Sequence, residues 1–218
     1  MLENVKACFF DMDGTIIDSM WMWRDIDIEF LGSRGIELPE DLQKRIEGMC
    51  FTETAHFFKN EFNLPESIDR IKEIWNDMAM DKYRHSVPLK AGALDFIRAL
   101  KENGIKTAIA TSNSRELAMA CLDTLEITGY FDAIVTGCDV GVGKPAPDVY
   151  LKCAALCGVR PEECLVFEDI IVGIDAGHNA GMKVCTVYDR YSEDVDDIKR
   201  QKADYYIHDF VRLKEEIQ

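Results

Sequence analysis

Two hydrophobic textures alternate along this chain of 218 residues. From Ser19 to about Tyr83, apolar residues recur at helical spacing. They run Trp23, Ile26, Phe30 and Leu31, then Phe57, Phe58 and Phe62, then Ile68, Ile71, Ile74, Trp75 and Met78. Pro39 and Pro65 are expected in the first turns of two of these helices. No strand is expected there. From Val87 onward, short apolar runs alternate with helical stretches. The runs fall at 106–111, 133–136, 164–167 and 183–187, with a weaker one at 203–207. The helical stretches fall at 91–103, 114–125, 147–157 and 173–180. That alternation predicts βαβ units and a parallel sheet, hence an α/β fold. One more apolar run, 5–10, precedes the helical block and is expected to join the same sheet. The block is then an insertion after strand one, with hinges near Thr15–Ser19 and Arg84–Leu89. Residues 1–16 and 87–218 form a discontinuous core, and residues 17–86 form the insert. An insert there sits over the carboxyl ends of the strands, where open α/β sheets bind ligands.

Composition narrows the function classes. Apolar residues make up 47% of the chain and charged residues 30%, as in a soluble protein with a sizeable core. Forty acidic residues face 25 basic ones, for a net charge of −15. Bulk electrostatics therefore argue against nucleic acid or a membrane surface as partner. Anionic substrates stay open, because a metal and one or two lysines invert the local sign. Part of the acid excess, Glu193, Asp194, Asp196 and Asp197, is expected to be a solvated surface. Eight cysteines show no CxxC pair and no secretory signal precedes Val5. They are read as reduced thiols in a cytoplasmic protein. No apolar run is long enough to cross a bilayer.

The candidate chemistry begins where the first strand ends, in Asp11-Met12-Asp13-Gly14-Thr15. Gly14 suggests a bend, which lets the Asp11 side chain and the Asp13 carbonyl converge on one point. Such an oxygen cluster suits Mg²⁺, and a carboxylate beside it can attack phosphorus. Asp-x-Asp-Gly is also an ordinary turn. Three more clusters follow predicted strands. Ser112-Asn113-Ser114 can present donors to a phosphate, or simply cap a helix. Lys144, flanked by Gly143 and Pro145, can aim its ammonium at Asp11, or be a solvated loop lysine. Glu168-Asp169 can complete a cation site, or be acids at a helix start.

Together, in this order, the four clusters resemble the four-motif pattern of the haloacid dehalogenase (HAD) superfamily, over nearly the whole chain. The insert resembles the α-helical cap of its β-phosphoglucomutase-like branch. The resemblance implies a three-layer Rossmann-like core with an inserted cap. It implies Asp11 as nucleophile and Asp13 as general acid and base, with Asp11, Asp13, Asp169 and Glu168 at a Mg²⁺ site. Ser112, Asn113 and Lys144 would hold the phosphoryl group. Met20, Trp21, Met49 and Phe51 are the cap candidates for substrate choice, while Trp23 is expected to pack within the cap or in its contact with the sheet domain. The implied activity is a Mg²⁺-dependent phosphatase. It would hydrolyse a small phosphomonoester, a sugar phosphate or similar metabolite, through an aspartyl-phosphate. The enzyme is expected to be monomeric and cytoplasmic.

Two departures bear on the alternative, a hexose-phosphate mutase. The loop 47–52 holds no Lys or Arg, and Met20-Trp21-Met22-Trp23 holds no His. Both weigh against it. Ile170 stands where many relatives have a small hydroxyl residue. A catalytically silent phospholigand-binding protein is the third reading, disfavoured because Asp11, Asp13, Lys144 and Asp169 are all present. His56, His85, His178 and His208 fall outside all four clusters and are read as surface or helix-end residues.

Overall fold

The computed structural model describes residues 1–217. The chain runs β1 (Ala7–Phe10), α1 (Met20–Gly32), α2 (Leu42–Ile46), α3 (Phe51–Glu61), α4 (Ile68–His85), α5 (Ala93–Glu102), β2 (Lys106–Thr111), α6 (Arg115–Thr124) and β3 (Ala133–Thr136). It continues through α7 (Gly137–Val140), α8 (Asp148–Cys157), β4 (Cys164–Glu168), α9 (Ile171–Asn179), β5 (Lys183–Val187), α10 (Asp196–Lys202) and β6 (Tyr205–Ile207). The six strands form one sheet in the order β3-β2-β1-β4-β5-β6, and every pairing is parallel.

The pleat sorts the strand residues into two faces. Ala7 and Phe9 join Ala108, Ala110, Val166 and Val184 in one core, covered by Tyr150 and Cys153 of α8 and Ile174 of α9. Cys8 and Phe10 join Ile109, Leu165, Phe167 and Cys185 in the other. There Phe10 stacks on Phe167 with ring centroids 4.8 Å apart, and Phe96 of α5 meets Phe167 edge-on at 5.5 Å. Both faces are buried, which is why these strands read as continuous apolar runs and not as alternating ones. The result is the three-layer Rossmann-like arrangement.

In sequence, helices α1 to α4 fall between β1 and the other five strands. Their interior is aromatic: Phe58 lies 4.9 Å from Trp75 and 6.1 Å from Phe30. Asn76 of α4 ties this block to α6, donating to Glu116 at 2.7 Å and accepting from Ser114 at 3.0 Å. Among the described residues, no helix is long and apolar enough to cross a membrane.

The structure differs from the sequence reading in several places. Pro65 does not enter α4: Ser67 caps that helix, accepting from the Arg70 amide at 3.2 Å. Pro39 likewise stands outside α2. Helix α9 starts at Ile171, two residues earlier than expected, and β6 starts at Tyr205, two later. Helices α7 and α10 were not foreseen. Helix α10 also changes the acidic stretch: Asp196 is buried, with Arg200 at 2.8 Å and Lys199 at 3.5 Å. One helical turn brings those cations onto it, which no reading of 193–197 as a solvated run allows for.

Candidate active site

The ends of β1, β2 and β4 converge, and each contributes to the site. The Asp11 amide donates to the Phe167 carbonyl at 3.0 Å, so the chain past β1 still lies against β4. It then turns at Gly14, whose φ is +84°. A Cβ on Gly14 would fall 2.2 Å from Asp169 Oδ2, so only glycine admits this approach. Thr15 Oγ1 donates to the other Asp169 oxygen at 2.9 Å. Gly173 plays the same spatial role for Glu168, whose carboxylate would meet a Cβ there at about 2.2 Å.

Lys144 is the cation at the centre. Its Nζ donates to Asp11 Oδ1 at 2.5 Å and also to Glu168 Oε1. The Tyr150 hydroxyl donates to that same Glu168 oxygen. All of these groups are buried. Burial pushes the Asp11 carboxyl well up; Lys144 opposes this, and Glu168 and Asp169 add to it. Asp169 is pushed up to about 7, by burial and then by Glu168 and Asp189. Burial works against the charge of Lys144, but Asp11 and Glu168 outweigh it and hold the ammonium well above its usual range.

One oxygen each from Asp11, Glu168 and Asp169 lie within 4.8 Å of one another. Three buried carboxylates facing a single lysine leave an excess of negative charge, and all the donors are hard oxygens. That set suits a divalent cation such as Mg²⁺. Glu168 is the most committed member: Oε1 is taken by Lys144 and Tyr150, and Oε2 accepts from the Asp169 amide.

The Asp13 side chain points away from that cluster. It accepts from Ser19 Oγ at 2.7 Å, Trp23 Nε1 at 3.2 Å, Asn113 Nδ2 at 3.2 Å and the Tyr83 hydroxyl. The Trp23 ring packs edge-on against Phe51 and Tyr83 within the helical block, as expected, while its indole N–H reaches Asp13 and it also borders the cavity. Tyr83 was not singled out. It continues the buried stripe Trp75, Ala79, Tyr83 along α4, so its spacing reads as core, and its hydroxyl partner lies 70 residues away. Asn113, expected at the phosphoryl group, gives its amide to Asp13 and to Tyr83 and takes the Ser114 amide on Oδ1. Ser114 caps α6. Ser112 borders the cavity, and its carbonyl accepts from the Phe51 amide at 2.9 Å.

A cavity of about 590 Å³ separates the strand ends from the helical block. Its floor carries Asp11, Asp13, Lys144 and Asp169; Met20, Trp23, Met49, Phe51 and Trp75 are among its walls. Three of the four cap candidates are thus on the cavity. Trp21 is the exception. Its indole N–H donates to the Asp18 carbonyl at 3.0 Å, and its ring lies under Lys82. Trp21 and Trp23 are two residues apart on α1 and so face different ways. Ile170 lines the cavity, and none of the four histidines does. None of the eight cysteines is in a disulfide, though not all are inert: the thiol of Cys138 is drawn down to about 5, chiefly by its hydrogen bond with Cys50.

The whole sequence from residue 5 to 181 matches the haloacid dehalogenase-like hydrolases. The protein belongs to that family. It is 33% identical to a fructose-1-phosphate phosphatase of Escherichia coli, over 86% of this chain and 98% of that one. It is 29% identical to a phosphorylated carbohydrates phosphatase of Thermotoga maritima, over 82% and 83%. Its fold superposes on the β-phosphoglucomutase of Clostridium difficile with a TM-score of 0.82, covering 97% of this chain and 94% of that one. At 24% identity that likeness concerns the fold alone.

Proposed function

We propose that this HAD-family hydrolase is a divalent-metal-dependent phosphatase of small phosphomonoesters, sugar phosphates or similar metabolites, acting as a cytoplasmic monomer. The observation that carries the reading is the Asp11 carboxylate, held by Lys144 at 2.5 Å on the floor of a cavity, with Asp13 two residues on. The relatives named above act on phosphorylated sugars and are about 30% identical over most of the chain, which supports the same substrate class here.

In this reading, Asp11 attacks the phosphorus in line. The P–O bond to the leaving group breaks as the aspartyl-phosphate forms. Asp13 gives the leaving oxygen its proton, then takes a proton from the water that hydrolyses the intermediate. Ser19, Trp23, Tyr83 and Asn113 fix the direction in which Asp13 points. Lys144 and the Ser112 hydroxyl hold the phosphoryl oxygens, and Glu168 braces Lys144 and Asp169. Mg²⁺ would be held by Asp11, Asp169 and the Asp13 carbonyl, with Glu168 beside them, and would neutralise charge on the phosphoryl group. The α1–α4 block acts as the cap, and its walls choose the leaving group.

A mutase must grip a second phosphate during transfer. The cap loop 47–52 supplies no cation for that, although Arg24 and Lys44 border the cavity, and the relatives named above are phosphatases, so hydrolysis is the better reading. Phosphate release from a panel of sugar phosphates and simple esters tests the proposal. Release that needs Mg²⁺, stops with EDTA and disappears in Asp11→Asn is expected. Isomerisation of a hexose phosphate without release would replace this reading with the mutase.

A further inference from the structure

The cavity has a second polar pole, remote from the phosphoryl site in sequence and chemistry. Asp27 stands one helical turn beyond Trp23 on α1, within the apolar stripe Trp23, Ile26, Phe30. It is only 6% exposed, yet it borders the cavity. Gln43 Nε2 donates to Asp27 Oδ2 at 2.6 Å. Among the described residues, Gln43 is the partner that reaches this carboxylate, and it takes Oδ2. A carboxylate this far buried in an apolar helical block is costly, and what exposure it keeps is toward the cavity. Burial pushes its carboxyl up to about 7, with only the Gln43 bond opposing.

The surroundings say what would satisfy that carboxylate. Trp23, Phe51 and Trp75 put aromatic rings on the walls of the same cavity. Glu40, Glu47 and Asp194 line the cavity together with Arg24 and Lys44, and Lys44, 76% exposed, lies 3.7 Å from Asp194. A leaving group with its own carboxylate or second phosphate would meet like charge at Asp27, in a cavity lined by more acids than bases. An ammonium would satisfy Asp27 and the Gln43 carbonyl, but it offers no acceptor to the second Gln43 N–H. Hydroxyl groups are donors and acceptors at once and match both, and the C–H face of a polyol suits aromatic rings.

We propose that Asp27 is a specificity-determining residue: it accepts a hydrogen bond from a hydroxyl of an uncharged polyol or sugar leaving group and turns away anionic ones. The inference rests on the phosphatase reading for its substrate class, and goes beyond it in naming the residue that selects the leaving group.

The test compares kcat/KM for a hexitol monophosphate, phenyl phosphate, 2-phosphoglycolate and phosphoethanolamine in wild type and Asp27→Asn. Wild type is expected to favour the hexitol phosphate. Asp27→Asn should lower the ratio of hexitol phosphate to phenyl phosphate by about tenfold or more, and narrow the discrimination against 2-phosphoglycolate. An equal loss on every ester would mark a structural role and overturn the proposal. So would an unchanged ratio, or a wild-type preference for phosphoethanolamine or phosphoglycolate. Calorimetric binding of the hexitol phosphate and phenyl phosphate to Asp11→Asn and to Asp11→Asn/Asp27→Asn gives the same ratio without turnover. If no ester is hydrolysed but that binding ratio still falls, the phosphatase reading has failed and the role of Asp27 stands; an unchanged binding ratio sinks the role of Asp27.

Discussion

Asp27→Asn also makes a stability prediction that needs no substrate. The carboxyl is held at about 7 in the folded protein, against an ordinary value of 3.8. The shift is about 3 units, and each unit is worth about 1.36 kcal/mol. The sign follows from proton counts. Below pH 3.8 the group is protonated folded and unfolded, and burial carries no penalty. Between about pH 4 and 7 the unfolded chain releases the proton while the folded protein keeps it, so stability falls as pH rises. Above pH 7 the full penalty, about 4 kcal/mol, is present. Asparagine stays neutral throughout, keeps the shape and can still accept from Gln43. The stability of Asp27→Asn relative to wild type should therefore rise by about 3 kcal/mol between pH 4.5 and 8. Urea titrations followed by tryptophan fluorescence suit the measurement, because Trp21, Trp23 and Trp75 all lie in the helical block. A difference between the two proteins that stays flat within about 0.5 kcal/mol over that range would refute the argument that burial raises this carboxyl.

Two further outcomes follow from the site. Tyr83→Phe removes a buried hydroxyl that donates to Asp13 and accepts from Asn113, and a hydrogen bond to a charged group is worth about 1.5–3 kcal/mol. Steady-state kinetics should show kcat down by roughly 10- to 100-fold with KM little altered; unchanged kcat would mean that Tyr83 does not orient Asp13. Gly14→Ala places a Cβ 2.2 Å from Asp169 Oδ2 at a φ of +84°. It should cost more than about 100-fold in phosphate release and raise the Mg²⁺ concentration needed for half-maximal rate, and a normal Mg²⁺ titration would count against Asp169 as a metal ligand.

The sequence by itself determined the α/β class and four of the six strands to within a residue, with β1 and β6 each starting two residues later than expected. The reason is that strands buried on both faces must be continuously apolar, and helices packed on one side must repeat every three to four residues. It also placed Asp11, Asp13, Lys144 and Asp169 in one site, because each follows a strand and a parallel sheet gathers its strand ends on one edge. Local pattern had no access to partners chosen across the fold. Trp23 and Tyr83 have the spacing of core residues, and only the docking of α1 and α4 over β1 turns their N–H and O–H toward Asp13. The same docking turns Trp21 away, commits the Asn113 amide to Asp13, and seals Asp27 against the cavity with Gln43 as its donor. Asp196 was misread for the same reason: its burial depends on α10 lying against the sheet domain, and nothing in a run of acids announces that contact. Periodicity records which face of an element avoids water. Which polar atom on that face finds a partner is decided by elements distant in sequence, and so by tertiary structure alone.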